Sequence, residues 1–453
     1  MSIPSQSSHV CPIEHIFVLM LENNSFDRIL GFVPGVGDLP NPSFKNQSET
    51  QAYVFQKGVP MVWARDSQGN LAYLPAEWPD STNDVDPDLP HEFCCVQTQI
   101  FDGGSTPTNT GFVASFLAAN SRGNPQFPLY AYDPDVPQLP ALQTLARSFC
   151  TFTRWFSSVP GPTGPNRLFA LCGTSGGYDG DDYVFASPGQ VPMPSIFTSF
   201  PDPSRWNIYC DGNSQLKEST PSGHVFSWPG LGDIQGEGGA AYPATPLQTL
   251  LTQLEDSELD PSTLPSFAWL VPSYGVNGSL PGASFAPTSM HPNMGCPLAG
   301  DALVAVIYNA LRASKAWSSS ALLVVFDEHG GFADSVPPTQ KVPAPDDATS
   351  RAGGWFEHLA DPNFDFTSLG VRVPSILISP WVAATTDDTV YEHASIPRTL
   401  RDTFELNPGP GPSGYLTARD CAAGNFLAAN LLPSARTDCP TSVPVVAPPL
   451  ENA

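Results

Sequence analysis

Two apolar runs in this chain each end in a pair of residues that carry oxygen donors. His15-Ile-Phe-Val-Leu-Met-Leu21 leads into Glu22 and Asn23, and Ala321-Leu-Leu-Val-Val-Phe326 leads into Asp327 and Glu328. Runs of this length suit the central strands of a parallel sheet. In such a sheet all carboxyl ends lie on one edge, where open α/β folds bind their ligands. Glu22, Asn23, Asp327 and Glu328 are therefore expected to converge although most of the chain separates them. Three carboxylates and an amide form a hard oxygen set suited to one divalent cation such as Ca, Mg or Mn, and a histidine beside them would admit Zn or Fe. Without a cation, the crowded carboxylates repel one another and at least one holds its proton. Taken alone, the first junction reads equally well as a helix cap, because Asn24 or Ser25 can cap a helix opening at Phe26. A second junction of the same kind is what favours a metal set.

A hydroxyl lies between these junctions in a stiff turn, Val159-Pro-Gly-Pro-Thr163-Gly-Pro-Asn166-Arg167. Proline fixes φ on either side of Thr163, glycine permits a tight bend, and Asn166 can cap a helix that runs through Leu171 and ends at Gly173. A hydroxyl just ahead of a helix amino terminus sits where free N–H groups receive phosphate oxygens. Local sequence leaves this segment open between that role and an ordinary Pro/Gly surface loop.

Taken together and in order, these segments resemble the phosphoesterase family that includes bacterial acid phosphatases and the non-haemolytic and plant phospholipases C. The family's E-N-x-S-F-D junction reads Glu22 to Asp27 here, and its P-G-P-T-x-P-N-R loop reads Pro160 to Arg167. Its D-E-H-G-G-F segment reads Asp327 to Phe332, and its final tyrosine-x-histidine reads Tyr391-Glu392-His393. The match spans residues from about 10 to about 405 in the family's order. The resemblance implies an alkaline-phosphatase-like α/β fold, with a mostly parallel central sheet flanked by helices and long loop or cap insertions. It implies that Thr163 is the nucleophile, passing through a phosphothreonine, and that Glu22, Asn23, Asp327 and Glu328 hold the metal. It assigns His91, His291 and His393 to the phosphate pocket, where imidazoles titrating near neutrality donate to phosphoryl oxygens or protonate a leaving group. His329 follows the acid pair and is expected behind it. His9, His15, His224 and His358 have no motif support and read as structural or surface residues. Asn24 and Arg28 stand where family members often have arginine and histidine, and Asp334-Ser335 where they often have aspartate-histidine. These departures put pH optimum and substrate preference in doubt while sparing the metal and nucleophile positions.

Composition agrees with this reading without producing it. With 453 residues, 41% of them hydrophobic, the chain can bury a large core in one elaborate domain. Lys+Arg of 19 against Asp+Glu of 44 gives a net charge of −25, which disfavours nucleic acid and anionic membrane as partners. Fifty-one prolines and 37 glycines imply long ordered loops over the sheet, the usual seat of substrate selection. Strands are expected at 15–21, 152–157, 266–271, 321–326 and 373–379, and helices near 139–148, 166–172, 301–313 and 395–404, alternating as βα units. The expected domain covers 10–430, with cap-like insertions near 32–130 and 176–262, and 431–453 forms an extended tail dispensable to the core.

No apolar run is long enough to cross a membrane. No signal peptide is visible, so the chain reads as cytoplasmic or as a secreted protein with its signal trimmed. Nine cysteines without C-x-x-C spacing allow a Cys421–Cys439 disulfide or a fully reduced state. The expected activity is metal-assisted hydrolysis of a phosphate ester or phospholipid, first as an acid-phosphatase-like phosphomonoesterase, because the chain ends soon after the His393 helix. A phospholipase C is the alternative, marked by an aromatic rim that Phe93, Trp206, Trp228 and Trp355 would supply. An inactive binding protein on the same scaffold is the remote third reading, and intact Thr163 and acid pairs argue against it.

Overall fold

The computed structural model describes residues 11–37, 39, 88–123, 125, 127–132, 138–181, 194–211, 244–273, 288–292, 297–345 and 363–446, with the backbone of four short strands between 45 and 73. Its centre is an eight-stranded sheet. In chain order the strands are β1 (His15–Leu21), β2 (Cys150–Phe152), β3 (Trp206–Cys210), β4 (Ala244–Pro246), β5 (Phe267–Val271), β6 (Ser320–Phe326), β7 (Ser375–Ile378) and β8 (Thr385–Asp387). They lie in the order β8-β2-β7-β6-β1-β5-β3-β4. Only β7 runs against the others, pairing antiparallel with β6 and with β2, so the expected strict βα alternation fails at this strand. The fold is α/β with a mostly parallel sheet, as expected.

The apolar runs end up in the middle for the reason that made them legible. A strand covered on both faces can place no polar side chain cheaply, and every residue of β1 and of β6 is buried. Their parallel register pairs Leu21 with Phe326, which brings the two acidic junctions to adjacent strand ends. Helix α1 (Phe26–Ile29) follows β1 at once, capped by the Ser25 hydroxyl, which accepts from the Arg28 N–H.

Further helices flank the sheet. They are α2 (Phe93–Phe101), α3 (Phe112–Ala119), α4 (Pro140–Ser148), α5 (Thr163–Cys172), α6 (Leu247–Glu255), α7 (Pro297–Ala313) and α8 (Ser395–Thr403). α4 packs on α7 and against β2 and β7. Its open amino end is closed by the Asp301 carboxylate of α7, which accepts from the Ala141 and Leu142 N–H groups at 3.0 and 2.8 Å.

Two expectations shift. The segment 176–262 is not only a cap, since it supplies β3 and β4 to the central sheet and α6, which packs on both strands. The tail is extended but tied to α7: the Val443 N–H donates to Asn309 Oδ1 at 2.8 Å, the Asn309 amide donates back to the Val443 carbonyl at 3.0 Å, and Cys439 and Val443 are buried. Cys421 and Cys439 are both free thiols, so the disulfide allowed by their sequence does not form. Among the described residues no helix is long and apolar enough to cross a membrane.

Candidate active site

The sheet edge assembles the site. β1 hands over to Glu22 and Asn23, and β6 to Asp327 and Glu328. Asn23 bends with a left-handed φ of 54°, a conformation asparagine tolerates better than most residues. That bend turns its N–H onto Asp327 Oδ1 at 3.1 Å. Gly330 completes the fit with a φ of 61°, since a Cβ there would lie 2.3 Å from the Asn23 carbonyl oxygen.

Thr163 arrives from the third side. It is the first residue of α5 rather than a residue ahead of it, with Pro162 at the cap position and Gly173 ending the helix at a left-handed φ of 68°. Asn166 does not cap this helix. Its carboxamide accepts from the Val159 N–H at 2.9 Å and donates to the carbonyls of Val159, Gly161 and Pro162 at 3.1, 3.0 and 2.9 Å, so it clamps the Pro/Gly loop shut. The Thr163 hydroxyl then donates to Asn23 Oδ1 at 3.3 Å, and the Asn23 amide donates to His291 Nε2 at 3.0 Å. His291 and His91 stand edge to face with ring centroids 6.0 Å apart.

Four helical residues after Thr163, on the same face of α5, the buried Arg167 guanidinium donates to Asp327 Oδ2 at 3.0 Å and lies 3.8 Å from Glu22 Oε1. Burial pushes the Glu22 carboxyl well above its usual range against the pull of Arg167, with Asp327 and Glu328 adding to the push. Asp327 is likewise raised by burial, with Arg167 opposing. Burial would also raise Glu328, but His91 and His329 outweigh it and hold this carboxyl low. His91 is the reverse case. Burial disfavours its charge, and the carboxylates of Glu328, Asp88 and Glu92 override that and bring the imidazole up to about 10, so His91 carries a positive charge at neutral pH.

The donor set fits a cation. Glu22 Oε2 and Glu328 Oε1 are buried acceptors with no hydrogen-bond partner, and Arg167 and His91 together leave three buried carboxylates with surplus negative charge. Among the described residues the trio whose ligand atoms all lie within 4.8 Å of one another is a different one, Asp88, His91 and His291. Its mixed N/O donors are of the kind that suit Zn or Fe.

His393 is near the site but not open to it. Its Nε2 donates to the Asp327 carbonyl at 2.5 Å and its Nδ1 accepts from the Trp155 indole N–H at 3.2 Å. Both ring nitrogens are used, and burial lowers the imidazole to about 4. It is a neutral brace for the Asp327 loop rather than a proton donor. His329 sits behind the acid pair, bridging Glu328 Oε2 at 3.2 Å and Gln99 Oε1 at 2.7 Å. His15 is a strand residue bonded to the Pro265 carbonyl, while His9, His224 and His358 lie outside the described residues.

Three contributors had no role assigned from sequence. Arg167 stood in the motif, and its i+4 spacing from Thr163 was the available signal. Asp88 lies three residues before His91, in a Pro/Asp-rich stretch that gives no periodicity to place it. Asp181 had no signal at all: its Oδ1 accepts from the Gly164 N–H at 2.6 Å, and burial and Glu92 bring its carboxyl up to about 8 against the pull of Gly164 and His91. The expected aromatic rim is not built from Phe93 and Trp206. Phe93 is buried against Phe364 at 4.7 Å, Trp206 packs on Phe197 at 4.7 Å within the sheet layer, and Trp228 and Trp355 lie outside the described residues.

Residues 13–407 match the profile of the Phosphoesterase family. The chain belongs to that family. This phosphoesterase is 31% identical to non-specific phospholipase C6 of Arabidopsis thaliana, a match covering 98% of this chain and 78% of that protein. It is 30% identical to non-specific phospholipase C3 of the same plant over 96% of this chain and 77% of that one. Non-hemolytic phospholipase C of Pseudomonas aeruginosa is 26% identical over 89% of this chain and 56% of its own length. Among solved structures, an alkaline phosphatase superfamily protein from Vibrio parahaemolyticus overlaps with a TM-score of 0.31 at 16% identity, covering 58% of this chain and 60% of that one. The α/β class rests on the sheet itself. The phosphoesterase is a hydrolase acting on phosphoric esters.

Proposed function

We propose that this phosphoesterase cleaves phospholipid phosphodiesters in the manner of a phospholipase C, with Thr163 transiently phosphorylated. The contact of the Thr163 hydroxyl with Asn23, at the joined ends of β1 and β6, carries the mechanistic part of this reading. The substrate class is taken from the relatives named phospholipase C, which match almost the whole of this chain, and reverses the order expected from sequence, in which a phosphomonoesterase came first.

In this reading the Asn23 carboxamide holds the hydroxyl in one orientation, so that a single rotamer faces phosphorus. The Thr163 oxygen forms the new P–O bond in line as the bond to the lipid alcohol breaks, which leaves a threonine phosphodiester that still carries the head group, and water later releases the phosphorylated head group from it. His91, charged at neutral pH, donates to a phosphoryl oxygen or to the departing alkoxide. His291 is held by the Asn23 amide. A divalent cation on Glu22, Asn23, Asp327 and Glu328 would supply charge neutralisation and a more acidic hydroxyl. His393 acts through Asp327 as a positioning residue.

The test is a substrate panel with a trapped intermediate. Phosphatidylcholine, a glycerophosphodiester and a small phosphomonoester are compared at equal concentration, and acid-quenched enzyme is digested and its Thr163 peptide weighed. The reading expects the lipid to be turned over fastest and, with phosphatidylcholine, one phosphocholine group on Thr163. Preference for the monoester would return the substrate class to the phosphatases, and a phosphoryl group on another residue would remove Thr163 from its role.

A further inference from the structure

Asp181 lies where the nucleophile's helix begins. The Gly164 N–H, one residue after Thr163, is among the few free donors of the first turn of α5, because Pro165 has none. It points at Asp181 Oδ1 across 2.6 Å. The chain reaches this position by turning back after α5 through Gly176 and Gly177, with φ of 66° and 89°, and by lying on the nucleophile loop so closely that a Cβ on Gly161 would come within 2.9 Å of the Asp179 carbonyl oxygen. A carboxyl oxygen thus holds the place beside the nucleophile that a phosphoryl oxygen would take.

We infer that Asp181 is a specificity-determining residue, which favours phosphodiesters over phosphomonoesters at the Thr163 site. A bound diester has two non-bridging oxygens and one negative charge, whereas a monoester dianion brings a third oxygen and a second charge. The third oxygen needs a donor, and the Gly164 N–H, one residue from Thr163, is already engaged. The second charge meets the negative potential of Glu92 and Glu328, which together with burial brings the Asp181 carboxyl up to about 8. Both effects leave the diester largely untouched and act against the monoester and against inorganic phosphate, which carries the same surplus oxygen and charge.

This inference rests on Thr163 being the nucleophile, so the experiment carries a control for that reading. kcat/KM for bis(p-nitrophenyl) phosphate and p-nitrophenyl phosphate, and inhibition by inorganic phosphate, are measured on the wild type, Asp181→Ala, Asp181→Asn and Thr163→Ala. Asp181→Ala should raise the monoester-to-diester ratio at least ~10-fold, the value of one hydrogen-bond or charge contact of about 1.4 kcal/mol, and tighten phosphate inhibition by a similar factor. Asp181→Asn is isosteric and keeps an acceptor for Gly164, so it should stay close to the wild-type ratio. A ratio unchanged in Asp181→Ala, or a monoester rate that falls with or faster than the diester rate, overturns the inference. Turnover surviving in Thr163→Ala would instead overturn the nucleophile reading, whereas an inert Thr163→Ala with a flat Asp181 ratio would sink the inference alone.

Discussion

The Thr163 hydroxyl and the Asn23 carboxamide meet at 3.3 Å across a sequence separation of 140 residues, and each is fixed from behind. Asn166 clamps the loop that carries Thr163, and Asp327 and Gly330 hold the left-handed bend of Asn23. Removing the carboxamide should release the hydroxyl to other rotamers, with some loss of stability because alanine tolerates the left-handed φ of 54° less well than asparagine.

Asn23→Ala is therefore expected to lower kcat by ~10²-fold, in line with losing a fixed attack geometry. Asn23 also belongs to the proposed metal set, so metal content is measured alongside, and where it is retained KM should move much less than kcat. Steady-state kinetics on one phosphodiester checks this, with thermal unfolding as the control for folding. A fall of less than about threefold in kcat would make the contact incidental.

Sequence made the site's skeleton legible where burial leaves a simple signature. After their first residues, His15 and Ser320, β1 and β6 are apolar because both their faces are covered, and acids placed where such runs stop had to emerge on one sheet edge. β3 was missed for the opposite reason. Trp206 and Asn207 are only half-buried at its start, so no continuous apolar run announced it amid prolines and glycines. Asn166 was misplaced because one carboxamide satisfies loop carbonyls as readily as a helix end. His393 and Asp181 depended on tertiary approach: a histidine's two nitrogens read as catalytic until both are seen occupied, and an aspartate in a Gly/Asp-rich stretch says nothing of the N–H it reaches.

Asp327 joins the proposed metal set to stability. It accepts from the Asn23 and Glu328 N–H groups and from Arg167, so Asp327→Ala would take the 3.0 Å carboxylate partner from a buried guanidinium whose other contacts include Glu22 at 3.8 Å and the Met20 and Leu21 carbonyls. Breaking one partner from a buried pair costs about 3–5 kcal/mol, and the thermal midpoint should fall accordingly. Asp327→Asn keeps the shape and should lose less stability while still losing metal. Elemental analysis of the wild type is expected to find about one divalent cation per chain, removable by chelation with loss of activity. Active protein free of stoichiometric metal and indifferent to chelators would refute the oxygen set as a metal site.

His393 gives the fold an acid sensitivity. Its imidazole is lowered from 6.5 to about 4 in the native state, first by burial. Above pH 6.5 the group is neutral in both states and costs nothing. As pH falls from 6.5 towards 4 the unfolded chain takes up a proton that the native chain refuses, so stability is lost across this window, by up to about 3 kcal/mol, and the loss levels off below it. His393→Gln cannot titrate. Its stability should be lower than that of the wild type at pH 7, where the brace on Asp327 is weakened, and the difference between the two proteins should narrow as pH falls to 4. Denaturant unfolding at a series of pH values checks this, and parallel curves would show that His393 titrates normally.

The site also commits to an order of bond making. If Thr163 attacks phosphorus first, diesters that share a head group pass through the same threonine adduct, and the breakdown of that intermediate no longer depends on the alcohol that left. Glycerol added to the reaction should then capture a constant share of phosphoryl groups whatever the leaving alcohol. Direct attack by water would let that share vary from substrate to substrate. Stereochemistry is the stricter reading of the same point, since each in-line displacement inverts phosphorus and two restore it. Hydrolysis of an ester chiral at phosphorus should give net retention, and inversion would remove Thr163 as the nucleophile even if its alanine variant were inert, because a hydroxyl that only orients water beside Asn23 would be equally missed.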